Sequence, residues 1–532
     1  MSFRENSSQQ MSLTDSFFNL TEREKRALEK SWAKIFADDI FPAIDEQRFS
    51  VLYSDKGSRP NTPVNVIVGA LIIKELFDYS DDELVENLML DLHLQYALHT
   101  TSFPEQPLSD KTLSRFRKRC YDYESLYNQD LYHDCVKNLS QSIQKIMKLN
   151  GRVRRMDSMM IESNIRKLSR IELLYTCVAR LSAAVGKQNE NALPEGLRHY
   201  TDSNDFNQVM YHQRSTQMED RLGVILSDAD SLIELCQGKY ESITEYDLLV
   251  RCLNEQTVME DGKRRLRTRK DGGLHSRNLQ NPTDPEATFR EKAGKEYRGY
   301  AANIEETVGP EGSVITDYQY DQNVKSDSSF LKDHLERMAP AEEPTLMVTD
   351  GAYYGDENVK LAAEKNIQLV TTSLTGTATP DIFAEFAFSE DGKQVLQCPA
   401  GHAPRTCCYR NSNEKCYVSF PVSCCEKCPH RKECNPHIHK KTASLNISLK
   451  GRNRARTQRA MKEAVYKDYA RLRNGVETVP SNLRKNYHLE KLPRGTQRGK
   501  FFFGGKVAAL NFRKLFNYIK GFQRCAQNPI FS

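Results

Sequence analysis

Three acidic residues have the type and setting for metal-assisted chemistry. Asp157 lies in the loosely alternating stretch VRRMDSMMIESNI, where the pattern predicts a strand near residues 156–161. Asp350 ends the apolar run LMVT and is followed by Gly351. Glu477 stands near the end of an amphipathic stretch, in the basic segment RNGVETVPSNLRKNYHLEKLPRGTQRG. An Asp at the C-terminal edge of a strand is where α/β proteins place ligand-facing groups. Three converging carboxylates repel one another, and hard divalent cations such as Mg²⁺ answer that repulsion with oxygen coordination. Two such ions about 4 Å apart clamp the attacking and leaving oxygens of an in-line phosphoryl transfer. Each acid also has a plainer reading: Asp157 as a turn cap, Asp350 as an Asx-turn acid, Glu477 as the partner of Arg473 four residues earlier. Glu162, Asp317 and Asp321 compete for the same role on neighbouring strands.

Cysteine supplies a second candidate. Of 14 cysteines, eight fall between Cys398 and Cys434. The leading polar stretch MSFRENSSQQMSLTDS has no apolar core of a secretory signal, so metal binding is expected rather than disulfides. Cys398, Cys425, Cys428 and Cys434 offer four thiolates for tetrahedral Zn²⁺, with Cys407, Cys408, Cys416, Cys424 and His402 as alternatives. Metal-free packing of reduced cysteines is the competing account.

The elements that must position these residues read in blocks. Residues 1–20 are expected to be a disordered tail and 21–148 a helical domain. There Ser80 and Glu83 form a capping box, and Ser109 caps a short helix carrying Arg115 and Arg117 on a basic face. That helix suits DNA contact or an ordinary bundle surface equally well. Helical patterning returns over 165–285. Strands are expected over 297–308, 312–321, 344–355 and 366–373, with helices at 327–339 and 356–366, so that with the Asp157 strand the sheet has five members. A cysteine-rich block, 376–450, interrupts this pattern. Met461, Val465, Tyr469, Leu472 and Val476 then mark one apolar helical stripe. The longest apolar run, VIVGALII, is far short of a membrane span, which predicts a soluble, cytoplasmic protein.

Net charge is only +5, yet from Lys440 onward there are 22 Lys and Arg against four Asp and Glu. A basic end on an otherwise acidic chain suggests a polyanionic partner.

Taken in order, these segments resemble bacterial insertion-sequence transposases of the DDE class, the subgroup with an InsH-like N-terminal domain and a cysteine-rich insert. The resemblance rests on RPNTPVNVIVGALIIKELFDYSDDEL, MDSMMIESNI, NPTDPEATFREKAGKEYRGYAANIEETV, ITDYQYDQN, VTDGAYYG, NGVETVPSNLRKNYHLEKLPRG and KVAALNFRKL. It also includes the CPxG and CxxCPxRxxC cysteine pattern. It implies an α/β fold: a ribonuclease-H-like mixed five-stranded sheet over 149–164, 286–375 and 451–532, an all-α N-terminal domain, a helical insertion at 165–285 and a Cys-rich insertion at 376–450. It implies Asp157, Asp350 and Glu477 as the catalytic triad holding Mg²⁺ or Mn²⁺. Arg473 and Arg484 stand where the family has basic residues four before and seven after the Glu, whereas the expected tyrosine position is Ala470, one place from Tyr469. The implied function is cleavage and strand transfer of DNA at terminal inverted repeats, by a homodimer on DNA, nucleoid-associated when bound. Lys485, Arg494, Arg498 and Lys500 would join Arg115, Arg117, Arg473 and Arg484 in binding DNA. A domesticated or inactive transposase acting as a sequence-specific DNA-binding protein is the alternative. Pro480, three residues after Glu477, disfavours helix at Val479: on a straight helix Arg473, Glu477 and Arg484 share a face, whereas a break with Pro480 near the first position of a second helix brings Arg484 from there.

Overall fold

The computed structural model describes all residues except 7–14, 55, 58, 190, 212–217, 375 and 522–532. After the helix Glu22–Glu29 and several shorter helical turns, the N-terminal part is built mainly on α1 (Val64–Phe77), α2 (Asp81–Leu90), α3 (Asp110–Tyr127) and α4 (Leu131–Ile146). The capping box of Ser80 and Glu83 starts α2, and Ser109 caps α3 through the Thr112 amide. α1 is buried nearly all round, as its unbroken apolar run requires. The expected disordered tail is instead held at its start: Ser2 N–H bonds the Arg59 carbonyl at 3.2 Å, and the Asn6 amide reaches Glu46 at 3.1 Å. Much of the tail, 7–14, lies outside the described residues.

The sheet is organised by the alternation of β1 (Val153–Ser163). It pairs antiparallel with β3 (Lys295–Gly309), which hairpins with β2 (Thr288–Lys292) on one end and β4 (Gly312–Gln322) along the rest. On its other side β1 runs parallel to β5 (Thr345–Thr349), and β5 to β6 (Ile367–Thr371). The long strands thus run β4–β3–β1–β5–β6, a mixed α/β order consistent with a ribonuclease-H-like core. Among the described residues, short β2 and Lys491–Leu492 extend it to seven strands.

Between β1 and β2 the chain builds α5 (Arg170–Gln188), α6 (Met218–Cys236) and α7 (Thr244–Gln256) around their own apolar core. After α7 the chain makes a short hairpin, 257–266. Met156 packs with Met347 and Ile367 against α8 (Asp327–Arg337) and α9 (Asp356–Glu364) on one face. After β6, four short antiparallel strands over 406–447 form the cysteine-rich unit.

The last four helices are α10 (Leu449–Ala460), α11 (Val465–Asn474), α12 (Thr478–Asn486) and α13 (Thr496–Ile519). The single stripe expected from Met461 to Val476 is divided by the break between α10 and α11. Val465 is exposed, whereas Leu472 and Val476 are buried. α11 rests on the second face of the sheet, with Leu472, Tyr466 and Tyr469 against Val153, Val308, Val348 and Val370. α13 joins the N-terminal helices to that face: Phe512 meets Phe36 at 5.2 Å between ring centroids, and Phe501 stacks on Tyr132 at 3.9 Å. Gly499 and Gly504 leave room for the Tyr320 and Tyr318 rings, where a Cβ would overlap them. One continuous apolar cluster therefore runs from α1 through α13 to β1, β3 and β4.

Candidate active site

β1 alternates, so Val153, Arg155 and Asp157 share the face covered by α11. Asp157 is buried, and its Oδ1 accepts the Ser158 amide at 2.9 Å. Burial pushes its carboxyl up to about 6, and Asp350 adds to the rise although Arg473, the Ser158 amide and Lys292 oppose it. Asp350 follows β5 and caps a single 3₁₀ turn, with Oδ1 accepting the Ala352 amide at 2.9 Å. The Gly after it is forced by backbone approach: a Cβ on Gly351 would stand 2.6 Å from the Ser373 carbonyl oxygen. Glu477 closes a 3₁₀ turn, Gly475–Glu477, between α11 and α12, and its side chain is 60 % exposed.

Arg473 joins the three. Its Nη1 lies 2.5 Å from Glu477, and its Nη2 lies 3.7 Å from Asp157 and 3.6 Å from Asp350. One guanidinium thus offsets the mutual repulsion of acids brought from three distant segments. The plainer readings hold at the same time: Asp350 does make an Asx turn, and Glu477 does pair with Arg473. The competing acids are occupied elsewhere. Glu162 faces Lys167 at 3.7 Å, Asp321 bonds Lys325 at 2.8 Å, and Asp317 is buried against His133 at 2.8 Å.

Pro480 does not stop the helical path. The backbone stays right-handed helical through Asn474, Gly475, Glu477 and Thr478, so α11, the 3₁₀ turn and α12 follow one another directly. Pro480 is the third residue of α12 rather than the first, so its missing N–H falls in the opening turn of that helix, where Pro is tolerated. Tyr469 packs beside Tyr466 in the apolar cluster under α11.

The basic residues divide. Arg115, Arg484, Lys485, Arg494 and Arg498 are exposed. Arg117 is not: it is buried, bonds Asp81 through both terminal nitrogens at 2.5 and 2.8 Å, and lies over the Phe502 ring. Lys500 is held by Glu124 at 3.0 Å and Asp130 at 2.8 Å. Both therefore balance charge inside the fold instead of facing a phosphate backbone. The opposing acids come from α2 for Arg117 and from the end of α3 and the cap of α4 for Lys500, and leave no trace in local sequence.

Cys398, Cys425, Cys428 and Cys434 line one small cavity of about 30 Å³, with Cys424, His402 and His430. Burial and the neighbouring thiols push Cys434 up to about 12. Cys407 and Cys416 lie apart on the small sheet, paired with each other's strands. Among the described residues no group of three or more His, Cys, Asp or Glu is set in a metal-holding arrangement. At the triad, the guanidinium of Arg473 occupies the point of convergence. The donor sets still suit their ions: carboxylate oxygens for Mg²⁺ or Mn²⁺, thiols for Zn²⁺.

Comparison with known families adds a second line of argument. Residues 397–516 match the family model of the transposase DDE domain, and residues 23–119 match that of a transposase domain, DUF772. A segment towards each end of the chain thus matches a transposase family model. The pairing is consistent with a DDE transposase of an insertion sequence. The DDE-domain match spans the cysteine unit, α10 to α12 and most of α13, and so includes Glu477 but not Asp157 or Asp350. Searches of curated proteins and of solved structures each returned no match. No helix among the described residues is long and apolar enough to cross a membrane.

Proposed function

We propose that the protein cleaves DNA at the terminal inverted repeats of an insertion sequence and transfers the freed strand to target DNA. The observation that carries this reading is the meeting of Asp157, Asp350 and Glu477 at the Arg473 guanidinium. The three acids would hold Mg²⁺ or Mn²⁺. Such ions activate the attacking oxygen and stabilise charge on the leaving one. The chain's own contribution is positional: Asp157 is fixed within β1, Asp350 just past the end of β5, the third stands on an exposed turn open to DNA, and Arg473 offsets their repulsion. Arg484 and Lys485, in the last turn of α12, would hold phosphate beside the site, joined by Arg494, Arg498 and, from α3, Arg115. Two copies, one at each end, would work together.

The deciding experiment incubates the full chain with Mg²⁺ or Mn²⁺ and DNA carrying the flanking ends. Nicks at the ends and joined strands are expected. Tight binding without cleavage would instead favour a sequence-specific DNA-binding protein, and equal nicking of unrelated DNA would favour a plain nuclease. Changing Arg484 and Lys485 together to Ala is expected to weaken binding to all sequences alike and to flatten the salt slope by about two, since each lost phosphate contact removes about 0.9.

Cys398, Cys425, Cys428 and Cys434 are proposed to hold a structural Zn²⁺. Metal analysis is expected to find about one zinc per chain, and chelation to make four thiols reactive while circular dichroism of the helices persists. Zinc-free protein with these thiols equally protected would overturn the assignment.

A further inference from the structure

Arg155 lies two residues before Asp157 on β1, on the same face, and it is buried. Its Nε donates to Glu306 on β3 at 2.6 Å, and its Nη1 donates to the Leu472 carbonyl at 2.8 Å. Leu472 is in the last turn of α11, next to Arg473, so the guanidinium sits at the negative end of the helix that carries Arg473 and leads into Glu477. Glu306 is also bonded by Lys514 of α13, which reaches Ser313 at 3.1 Å. From α13 through Glu306 to Arg155, the strand of the first acid is tied to the turn of the third.

Gly475 reports the same contact from the other side. Its φ of −60° is ordinary helix, a setting in which Ala is normally preferred. A Cβ there would overlap Arg155 Nη1. Gly475 is thus the space that the guanidinium occupies.

We propose that Arg155 is a positioning residue of the active site, fixing the α11 end, and with it Arg473 and Glu477, against Asp157. This rests on the reading of those acids as the catalytic triad. Arg155→Lys keeps a cation for Glu306, but a single ammonium cannot span both Glu306 and the Leu472 carbonyl. Gly475→Ala pushes the guanidinium away without altering its charge.

The test uses the full chain, with kcat and KM for Mn²⁺-dependent cleavage of end DNA, Mn²⁺ binding by electron paramagnetic resonance, and urea unfolding. Both variants are expected to lose about 10- to 100-fold in kcat, the usual effect of misorienting a metal-site ligand, and about 10-fold in Mn²⁺ affinity. KM for DNA should change by less than about threefold, because the phosphate-binding residues lie elsewhere. The double variant should be no worse than the weaker single one, because both break one contact. A lowered urea midpoint with kcat and Mn²⁺ affinity unchanged would overturn the proposal, as would losses that multiply in the double variant. Asp157→Asn and Glu477→Gln are run alongside. Should these still cleave, the triad reading itself fails and the proposal falls with it. Should they be inactive while Arg155→Lys cleaves normally, only the positioning role fails.

Discussion

Glu477→Gln and Asp157→Asn are each expected to lower cleavage of end DNA by roughly 10³-fold, about 4 kcal/mol of transition-state stabilisation, while DNA binding persists. Neither change should harm the fold. Glu477 is largely exposed, and a Gln carbonyl can still accept from Arg473. Asn at 157 can still accept the Ser158 amide through its own carbonyl. Burial already penalises the Asp157 carboxylate, so the neutral amide should leave urea stability unchanged or raised. A residue whose removal stabilises the fold and abolishes the reaction is kept for the reaction. Cleavage kinetics and urea unfolding on the same preparations check this. Asp157→Asn protein that is unstable but cleaves normally when folded would mark Asp157 as structural.

The second large effect concerns stability. His334 on α8 turns its two ring nitrogens to two buried acids: Nε2 to Glu305 on β3, and Nδ1 to Asp317 on β4 at 3.5 Å. Arg154 reaches Glu305 at 3.3 Å, and Thr316 Oγ1 donates to it at 2.7 Å. From α4, His133 and Lys137 reach Asp317 at 2.8 and 3.0 Å. Burial alone would favour a neutral His334, but Glu305 and Asp317 raise it to about 9. Burial would likewise raise Glu305, yet His334 and Arg154 hold it at about 2. Asp317 is lowered well below the usual carboxylate range, against its own burial, by His133 and His334.

The signs follow from which form each partner favours. The raised His334 contributes stability that is complete below pH 6.5 and lost as pH rises through about 9. The lowered Glu305 contributes stability that is complete above pH 4.5 and lost as pH falls through about 2. A plateau between those limits is expected, with a fall of about 3 kcal/mol on the alkaline side, counted once because both residues belong to one interaction. His334→Ala should cost about 3–5 kcal/mol at pH 6, since it leaves two buried acids short of a cation. It should also abolish the alkaline fall. Urea unfolding from pH 5 to 9.5 checks both, and an unchanged alkaline fall in His334→Ala would refute the assignment.

How much was legible depended on whether the information was local. The strand β1 follows from loose apolar alternation and β5 from a short apolar run, β3, β4 and β6 read as strand-like stretches, and the starts of α2 and α3 follow from caps within four residues. The three acids could be singled out because each sits at a recognisable local feature: mid-strand, a strand end before Gly, and the end of an amphipathic stretch in a basic segment. The hairpin at 257–266 leaves little signal, because charged residues dominate it. The break between α10 and α11 was missed because the apolar spacing carries on across it.

By itself, the sequence determined most of the strands and helices around the site, and which residues carry charge or thiols, since these rest on neighbours a few positions apart. Only the tertiary structure decided which charges are available. Arg117 and Lys500 look like Arg115 and Arg498 in sequence, yet acids from other helices draw the first two inward. It also decided that Arg473 meets Asp157 across more than 300 residues, and that Arg155 meets the end of that same helix. Such contacts arise when sheet pairing and the packing of α11 bring distant strands and helices together. Ionic attraction acts on distance in space, which no local spacing encodes.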